Sequence, residues 1–444
     1  MKLRFAPSPT GFLHVGNARI AITNALLVAK HGGEFILRLD DTDTERSRQE
    51  YADAIEEDLR WLGITHSPPV RQQDRNALYE AAANKLKSAG LLYPCFETEE
   101  ELRFKREQRL RQGRPPLYDR GALKMDAEQY ARALENGKKP HWRFKLSGKV
   151  HAWDDGVLGE RSVKTSAISD PVLVRADGSF LYTFTSVVDD IDMRITHIVR
   201  GEDHVTNTGV QMDIFVGLGA DITRIGFAHL PLLTDADGGP LSKRIGSLSL
   251  RQMRRDGVEA PALVGYLAAL GTAHDPVAGM PVDLAAGFDI GAVSKSAARF
   301  DPKQMLALNR KLLHAMPFEQ AAPRLPEGAT EEFWNAVRGN LDMFSEAKHW
   351  WDVATDRIAP PALEGQAEFL RAALDALPAE PFDHTTWLAW TEAVKAATGR
   401  KGKTLFMPLR LVLTGEDHGP DLKEFLPLIG RARAAERLRI AIQA

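Results

Sequence analysis

At 444 residues the chain is long enough for about three domains. A hydrophobic fraction of 44%, a charged fraction of 26% and a formal net charge of −3 exclude a collagen-like, disordered or uniformly basic nucleic-acid-binding protein, while leaving room for a local basic face. Cys95 is the only cysteine, so neither an internal disulfide nor a multi-cysteine zinc site can form. No apolar run approaches the roughly 18 residues of a membrane span; the best candidate, Ala262 to Leu270, is far too short. Pro7 and Pro9 stand where a signal peptide needs its apolar stretch, which makes the cytoplasm the default location.

The first hundred residues alternate strand and helix signals. Leu3 to Phe5 predicts a short strand, and Pro7, Pro9 and Gly11 enforce a loop. A helix is expected from Asn17 to Lys30, stopped by Gly32-Gly33. Phe35 to Leu39 predicts a second strand, and Asp40-Asp41-Thr42-Asp43 follows it directly. Tyr51, Ile55, Leu59 and Leu62 share one helical face, as do Leu78, Ala82 and Leu86. This alternation with short loops argues for an α/β, doubly wound parallel sheet. Residues 101 to 114 are dense in charge, with Arg103, Lys105, Arg106, Arg109, Arg111 and Arg114. They read either as a solvated helix face or as a phosphate-contacting surface. Further strands are expected at Trp142 to Leu146, Val172 to Arg175, Phe180 to Phe184 (after the Asp177-Gly178 turn signal), Ile195 to Val199 and Leu230 to Leu233. Beyond about residue 250 the chain reads as helices separated by Pro and Gly.

Three segments lie just after candidate strands, where an open parallel sheet binds its ligands. Pro7 to Asn17 joins a strand to a helix N-terminus, whose free N–H groups and dipole favour a phosphate. Gly16 permits close approach to the backbone, and His14 and Asn17 can donate to phosphate oxygens; the bland alternative for His14 is a helix cap. The segment matches neither GxGxxG nor GxxxxGK. Asp40, Asp41 and Asp43 could hold Mg²⁺ or recognise an ammonium group, while Thr42 or Asp43 could instead cap a helix. The loop Gly238 to Arg244 presents Ser242, Lys243 and Arg244 in a form that suits a triphosphate or, equally, a solvated basic turn.

Taken together these segments resemble the glutamyl-tRNA synthetases of the class I aminoacyl-tRNA synthetase superfamily, over essentially the whole chain. Phe5 to Gly11 with Leu13-His14-Val15-Gly16-Asn17 is similar to their opening and HIGH-type signature. Arg38 to Asp43 resembles their Arg-x-Glu-Asp-Thr-Asp element. Val187 to Asp190 and Arg200 to His204 are also similar, and Leu241-Ser242-Lys243-Arg244 resembles the KMSKS-type loop. Met407-Pro408-Leu409-Arg410 with Leu413-Thr414-Gly415 resembles the anticodon-binding domain.

The resemblance implies a Rossmann-type catalytic domain in two halves (1–90 and 176–240) around an α+β acceptor-end-binding insertion (91–175). A KMSKS-type loop with a helical stem-contact domain (241–315) and an all-α anticodon-binding domain (316–444) would follow. It implies ATP-dependent activation of L-glutamate and its transfer to the terminal ribose of tRNA(Glu), and in some members tRNA(Gln), by a monomer using ATP and Mg²⁺. His14 and Lys243 would be catalytic; His14, Gly16, Asn17, Ser242, Lys243 and Arg244 would contact ATP. Arg4, Ala6, Ser8, Asp40, Tyr182, Ser186 and Arg200 would surround glutamate, with Arg200 on the side-chain carboxylate and Asp40 on the α-ammonium. Asn17 replaces the last His of the signature, Pro240 the first Lys of the loop, and Asp40 the usual Glu. With Cys95 alone, no zinc is expected. A glutaminyl-tRNA synthetase, a shorter tRNA-modifying glutamyl ligase, a non-catalytic tRNA-binding paralogue and a general nucleotidyltransferase are the competing readings.

Overall fold

The computed structural model describes residues 1–235, 237–239, 241, 249–356 and 358–444. Strand β1 (Lys2–Phe5) runs through helix α1 (Val15–His31) into strand β2 (Glu34–Leu39), which pairs parallel to it with Leu3 opposite Phe35 and Phe5 opposite Leu37. Gly32, at φ 63°, ends α1 in a backbone region that an L side chain rarely adopts. Helix α2 (Gln49–Trp61) leads to strand β3 (Val70–Arg71), parallel to β2, and then to helix α3 (Asn76–Ser88). On α2 the apolar face expected from Ile55 and Leu59 is fully buried.

Strands β4 (Leu92–Cys95), β5 (His141–Phe144) and β8 (Val172–Val174) form a separate antiparallel sheet in the order β4-β5-β8. Between β4 and β5 lie helices α4 (Glu99–Arg111) and α5 (Ala127–Glu135), neither of which buries a residue. Strands β6 (Val150–Asp155) and β7 (Gly159–Lys164) make an antiparallel hairpin. Helix α6 (Tyr182–Asp192), strand β9 (His197–Gly201), helix α7 (Val205–Gly217) and strand β10 (Gly226–Leu230) complete the second half.

Strand β10 pairs parallel with both β9 and β6, giving the order β7-β6-β10-β9. The Thr196 N–H donates to the Lys2 carbonyl at 3.0 Å, and the Lys2 N–H to Thr196 Oγ1 at 2.8 Å, so β1 lies beside β9. The combined order β3-β2-β1-β9-β10 reverses direction of winding at the β1/β9 junction, which is where a doubly wound sheet opens a crevice.

Three sequence expectations change, the first being that a short strand, Ala298–Arg299, interrupts the helices expected beyond about residue 250. Phe180 to Phe184 is not a strand: only Phe180 bridges back, to Val174, and α6 starts at Tyr182. Phe184, Val187 and Val188 are buried at helical spacing, and a short apolar alternation does not separate the two periods. Leu230 to Leu233 is broken by Pro231, which has no N–H for a ladder; β10 ends before it, and Leu233–Thr234 pairs instead with Ala298–Arg299.

The chain divides into two compact units, one of residues 1–253 and 264–301, the other of 254–263 and 302–444. The second is helical among its described residues, with Trp334 and Trp390 fully buried in its core.

Candidate active site

A cleft of about 590 Å³ opens in the first unit at the carboxyl ends of β1 and β9. Of the sequence-predicted residues, Arg4, Ala6, Ser8, His14, Gly16, Asn17, Tyr182 and Arg200 line it. Asp40 and Ser186 do not. Ser242, Lys243, Arg244 and the departure Pro240 lie outside the described residues. The flanks of that segment both belong to the cleft region: Leu233 lines the cleft, and Ser249 bridges to His14.

His14 is both cap and site residue. Its Nδ1 accepts the Gly16 N–H at 3.0 Å, while the Asn17 side chain accepts the His14 N–H at 3.4 Å, a reciprocal capping pair at the start of α1. With Nδ1 used as acceptor, a neutral ring carries its proton on Nε2, and burial lowers the imidazole pKa from its usual value. The ring lies over Gly16 so closely that a Cβ there would meet Cε1 at 2.8 Å, which is why this position is glycine.

Arg200 is the last residue but one of β9 and is 6% exposed, yet no carboxylate among the described residues pairs with it within 4.0 Å. Its partners are neutral: Nη1 donates to Tyr182 Oη at 3.4 Å and Nη2 to Thr208 Oγ1 at 2.6 Å, while Nε lies 3.4 Å from His229 Nε2. Burial, and secondarily the neighbouring Arg4, lowers its pKa. A buried guanidinium without a counter-ion is costly unless an anion joins it.

Arg4 and Arg38 are different. Arg38 is fully buried and holds Asp40 by two bonds, Nε to Oδ1 at 2.7 Å and Nη2 to Oδ2 at 3.2 Å; it also reaches Asp190 at 2.8 Å. Arg4 shares Asp190 at 3.1 Å. Asp189 takes bonds from Gln72, Arg75 and Tyr79. Burial raises the Asp40 pKa to about 6, against the pull of Arg38. Ser186 acts from behind: its hydroxyl donates to the Tyr182 carbonyl at 2.7 Å and accepts from Gln211 at 2.8 Å, fixing the turn that carries Tyr182.

The three carboxylates after β2 do not converge. Asp40 is on Arg38, Asp41 accepts the Gln73 N–H at 2.9 Å, and Asp43 pairs with Arg46. Neither Thr42 nor Asp43 caps α2, whose N-cap is Arg48. Among the described residues one group could offer a metal three ligand atoms, all within 4.8 Å: Cys95, Glu97 and His141, away from the cleft. There Glu97 already accepts from Tyr118 at 2.9 Å and Lys105 at 3.1 Å, and burial pushes the thiol up to about 11.

Sequence reasoning missed two residues of the cleft wall: Arg19, which donates to the carbonyls of Pro231 (2.8 Å) and Leu270 (3.0 Å), and His204, whose ring centroid lies 5.6 Å from that of Tyr182. His204 stands in the quoted Arg200 to His204 segment; Arg19, inside an apolar helix, carries no local signal.

A helix N-terminus and an arginine with no carboxylate partner, lining one cleft at a sheet's switch point, agree with the sequence comparisons. Residues 1–306 match the catalytic-domain model of the class I tRNA synthetases (E and Q), and residues 340–442 match an anticodon binding domain. The chain belongs to the class I tRNA synthetases (E and Q).

Within this synthetase family it is 60% identical over 439 residues to glutamate--tRNA ligase 2 of Granulibacter bethesdensis, covering 99% of this chain and 98% of that one. It is 58% identical to glutamate--tRNA ligase 2 of Gluconobacter oxydans, over the full length of both. A crystal structure of a glutamate tRNA ligase from Elizabethkingia meningosepticum in complex with its amino acid superposes with a TM-score of 0.84 at 25% identity, covering 100% of this chain and 99% of that one. The class I catalytic architecture and the helical anticodon-binding region expected from the sequence are thus both present. Among the described residues no helix is long and apolar enough to cross a membrane.

Proposed function

We propose that this chain is a glutamate--tRNA ligase that activates L-glutamate with ATP and transfers it to tRNA(Glu). The observation that carries this reading is Arg200: a buried, permanently charged group with only neutral partners, at the mouth of a cleft that also holds a helix N-terminus. A planar guanidinium suits a carboxylate, so the glutamate side chain takes that place. Arg4, Ala6, Ser8 and Tyr182 line the amino-acid side of the cleft; Asp40, held by Arg38 behind that lining, supplies negative charge toward the α-ammonium without lining the cleft, and Ser186 fixes the turn that carries Tyr182.

ATP lies against His14, Gly16 and Asn17, with Ser242, Lys243 and Arg244 on its phosphates. The glutamate α-carboxylate oxygen attacks the α-phosphorus; the bond to the bridging oxygen breaks, giving glutamyl-adenylate and pyrophosphate. Both reactants are anions, so the protein's work is positioning them and offsetting growing negative charge. His14 Nε2–H and the positive end of the α1 dipole are preorganised for it. A ribose hydroxyl of the terminal adenosine, the 2′-hydroxyl by resemblance, then attacks the carbonyl carbon and AMP leaves. Because no set of carboxylates converges on the cleft among the described residues, no protein site is assigned to Mg²⁺. The insertion of residues 91–175 takes the acceptor end and the C-terminal helices the anticodon. That the second unit is helical rather than a β-barrel counts against a glutaminyl-tRNA synthetase.

The test is pyrophosphate exchange with and without tRNA, followed by charging of purified tRNA(Glu) and tRNA(Gln). Glutamate-dependent exchange, lost in Arg200→Ala, is expected. Binding of tRNA without any exchange or charging would overturn the reading in favour of a non-catalytic paralogue.

A further inference from the structure

Behind Arg200 lies a buried set of groups that none of the steps above uses. The Asp155 carboxylate, at the end of β6, accepts five hydrogen bonds. Oδ1 takes the backbone N–H groups of Val157 (3.1 Å), Leu158 (3.0 Å) and His229 (3.0 Å), and Oδ2 takes Trp153 Nε1 (3.1 Å) and His229 Nδ1 (2.5 Å). These donors hold the carboxyl well below the usual carboxylate range. An ionised carboxylate only accepts, so Nδ1 of His229 carries the proton.

His229, on β10, is fully buried, and burial lowers its pKa. Its Nε2 is therefore a lone pair. That atom lies 2.9 Å from Thr208 Oγ1 and 3.4 Å from Arg200 Nε, while Thr208 Oγ1 itself receives Arg200 Nη2 at 2.6 Å. Thr208 is also fully buried. The guanidinium thus leans on neutral acceptors, Thr208 and His229 here and Tyr182 at its other nitrogen, and the Asp155 carboxylate behind His229 is separated from it by the imidazole ring.

We propose that His229, fixed by Asp155 as its Nδ1–H tautomer, and Thr208 are positioning residues for Arg200: they aim the guanidinium into the cleft without neutralising it, and so set the preference for an acidic over an amide side chain. A carboxylate placed directly on Arg200 would offset the charge that the substrate must meet. A purely apolar wall would leave its N–H groups unpaired and free to rotate away. The inference rests on Arg200 receiving the glutamate side chain.

The experiment measures glutamate KM, ATP KM, kcat and melting temperature by tRNA-dependent pyrophosphate exchange. The variants are Thr208→Val, Thr208→Ser, His229→Leu and His229→Gln, with Arg200→Lys as control. Thr208→Val and His229→Leu should each raise glutamate KM about tenfold, the scale of one hydrogen bond to a charged group, with ATP KM unchanged. Thr208→Ser should restore the hydroxyl and the wild-type KM, and His229→Gln should recover part of the loss through its amide oxygen. Where His229→Leu fails to fold, the isosteric Thr208→Val alone decides. An unchanged glutamate KM in both apolar variants, with Arg200→Lys raising it, overturns the positioning role and leaves Arg200 in place. Equal rises in both KM values with a lower melting temperature also overturn it, as a merely structural effect. No response to Arg200→Lys would remove the assignment on which the inference stands.

Discussion

Gly16 shows how one missing side chain decides both a cap and an active-site geometry. An added methyl would sit 2.8 Å from His14 Cε1, so the ring must swing away, losing the Nδ1 bond that caps α1 and the direction of Nε2. For stability the two effects oppose: alanine is better than glycine in a helix by about 1 kcal/mol, and a lost cap costs about 1 kcal/mol. Gly16→Ala should therefore leave the melting temperature nearly unchanged while lowering kcat about a hundredfold, the scale of one misplaced preorganised donor; wild-type turnover would exclude a catalytic role for His14. Asp40 makes a pH prediction. Its carboxyl is raised from 3.8 to about 6, chiefly by burial, so it loses its charge below that value. If its charge steadies the α-ammonium from behind the cleft lining, glutamate KM should rise as pH falls through about 6, with ATP KM flat. The sign of the linked stability is opposite to acid unfolding: the folded state holds this proton more tightly than the unfolded chain. This contribution is therefore fully present below the unfolded value near 3.8 and is lost as pH rises through about 6. A rise in KM at pH 5.5 would thus not be a trace of melting at this group.

Among the elements, the helical unit has its own buried cation. Arg437, 2% exposed, donates to the carbonyls of Val353 (2.6 Å), Asp356 (2.9 Å) and Leu413, at the ends of the helices Glu346–Thr355 and Lys403–Thr414. These are C-terminal carbonyls that a helix cannot satisfy internally. Arg437→Met keeps much of the volume but leaves them without donors, and should cost about 3 kcal/mol in denaturant unfolding; a loss under 1 kcal/mol would mean that water replaces the guanidinium there. Legibility differs between elements for related reasons. The helices α1 to α3 and strands β1 and β2 announce themselves through apolar periodicity and glycine stops. The Tyr182 helix does not, because Phe180 to Phe184 is too short to separate a period of two from one of 3.6. The cleft was legible where polar residues follow strands, as at His14 and Arg200. The groups behind it, Asp155, Thr208 and His229, were not, because a buried polar residue within an apolar element matters only through partners distant in sequence.

For the molecule as a whole, a formal charge of −3 sets the terms on which it can meet a polyanion. Attraction to tRNA must come from local cationic surface, and α4 offers one: it buries nothing, and Lys105, Arg106, Arg109, Arg114 and Arg143 surround a hollow beside it. Lys105 is already tied to Glu97 and Asp119, which leaves the arginines as the better phosphate partners. The KM for tRNA should climb with salt, and Arg106→Glu should raise it at low salt while flattening the log–log slope by about one unit, the signature of one lost phosphate contact. An unaltered slope would take α4 out of the tRNA-binding surface. Tight tRNA binding at low salt is thus compatible with an acidic protein.

Arg200 carries one last consequence for the resting enzyme. A desolvated cation with no carboxylate in direct contact presents charge that a small oxyanion in the medium can meet. Glutamate alone, without nucleotide or tRNA, should therefore raise the melting temperature. Sulfate should blunt that increment by competing for the same guanidinium, so buffer composition becomes a variable in every affinity measured on this protein.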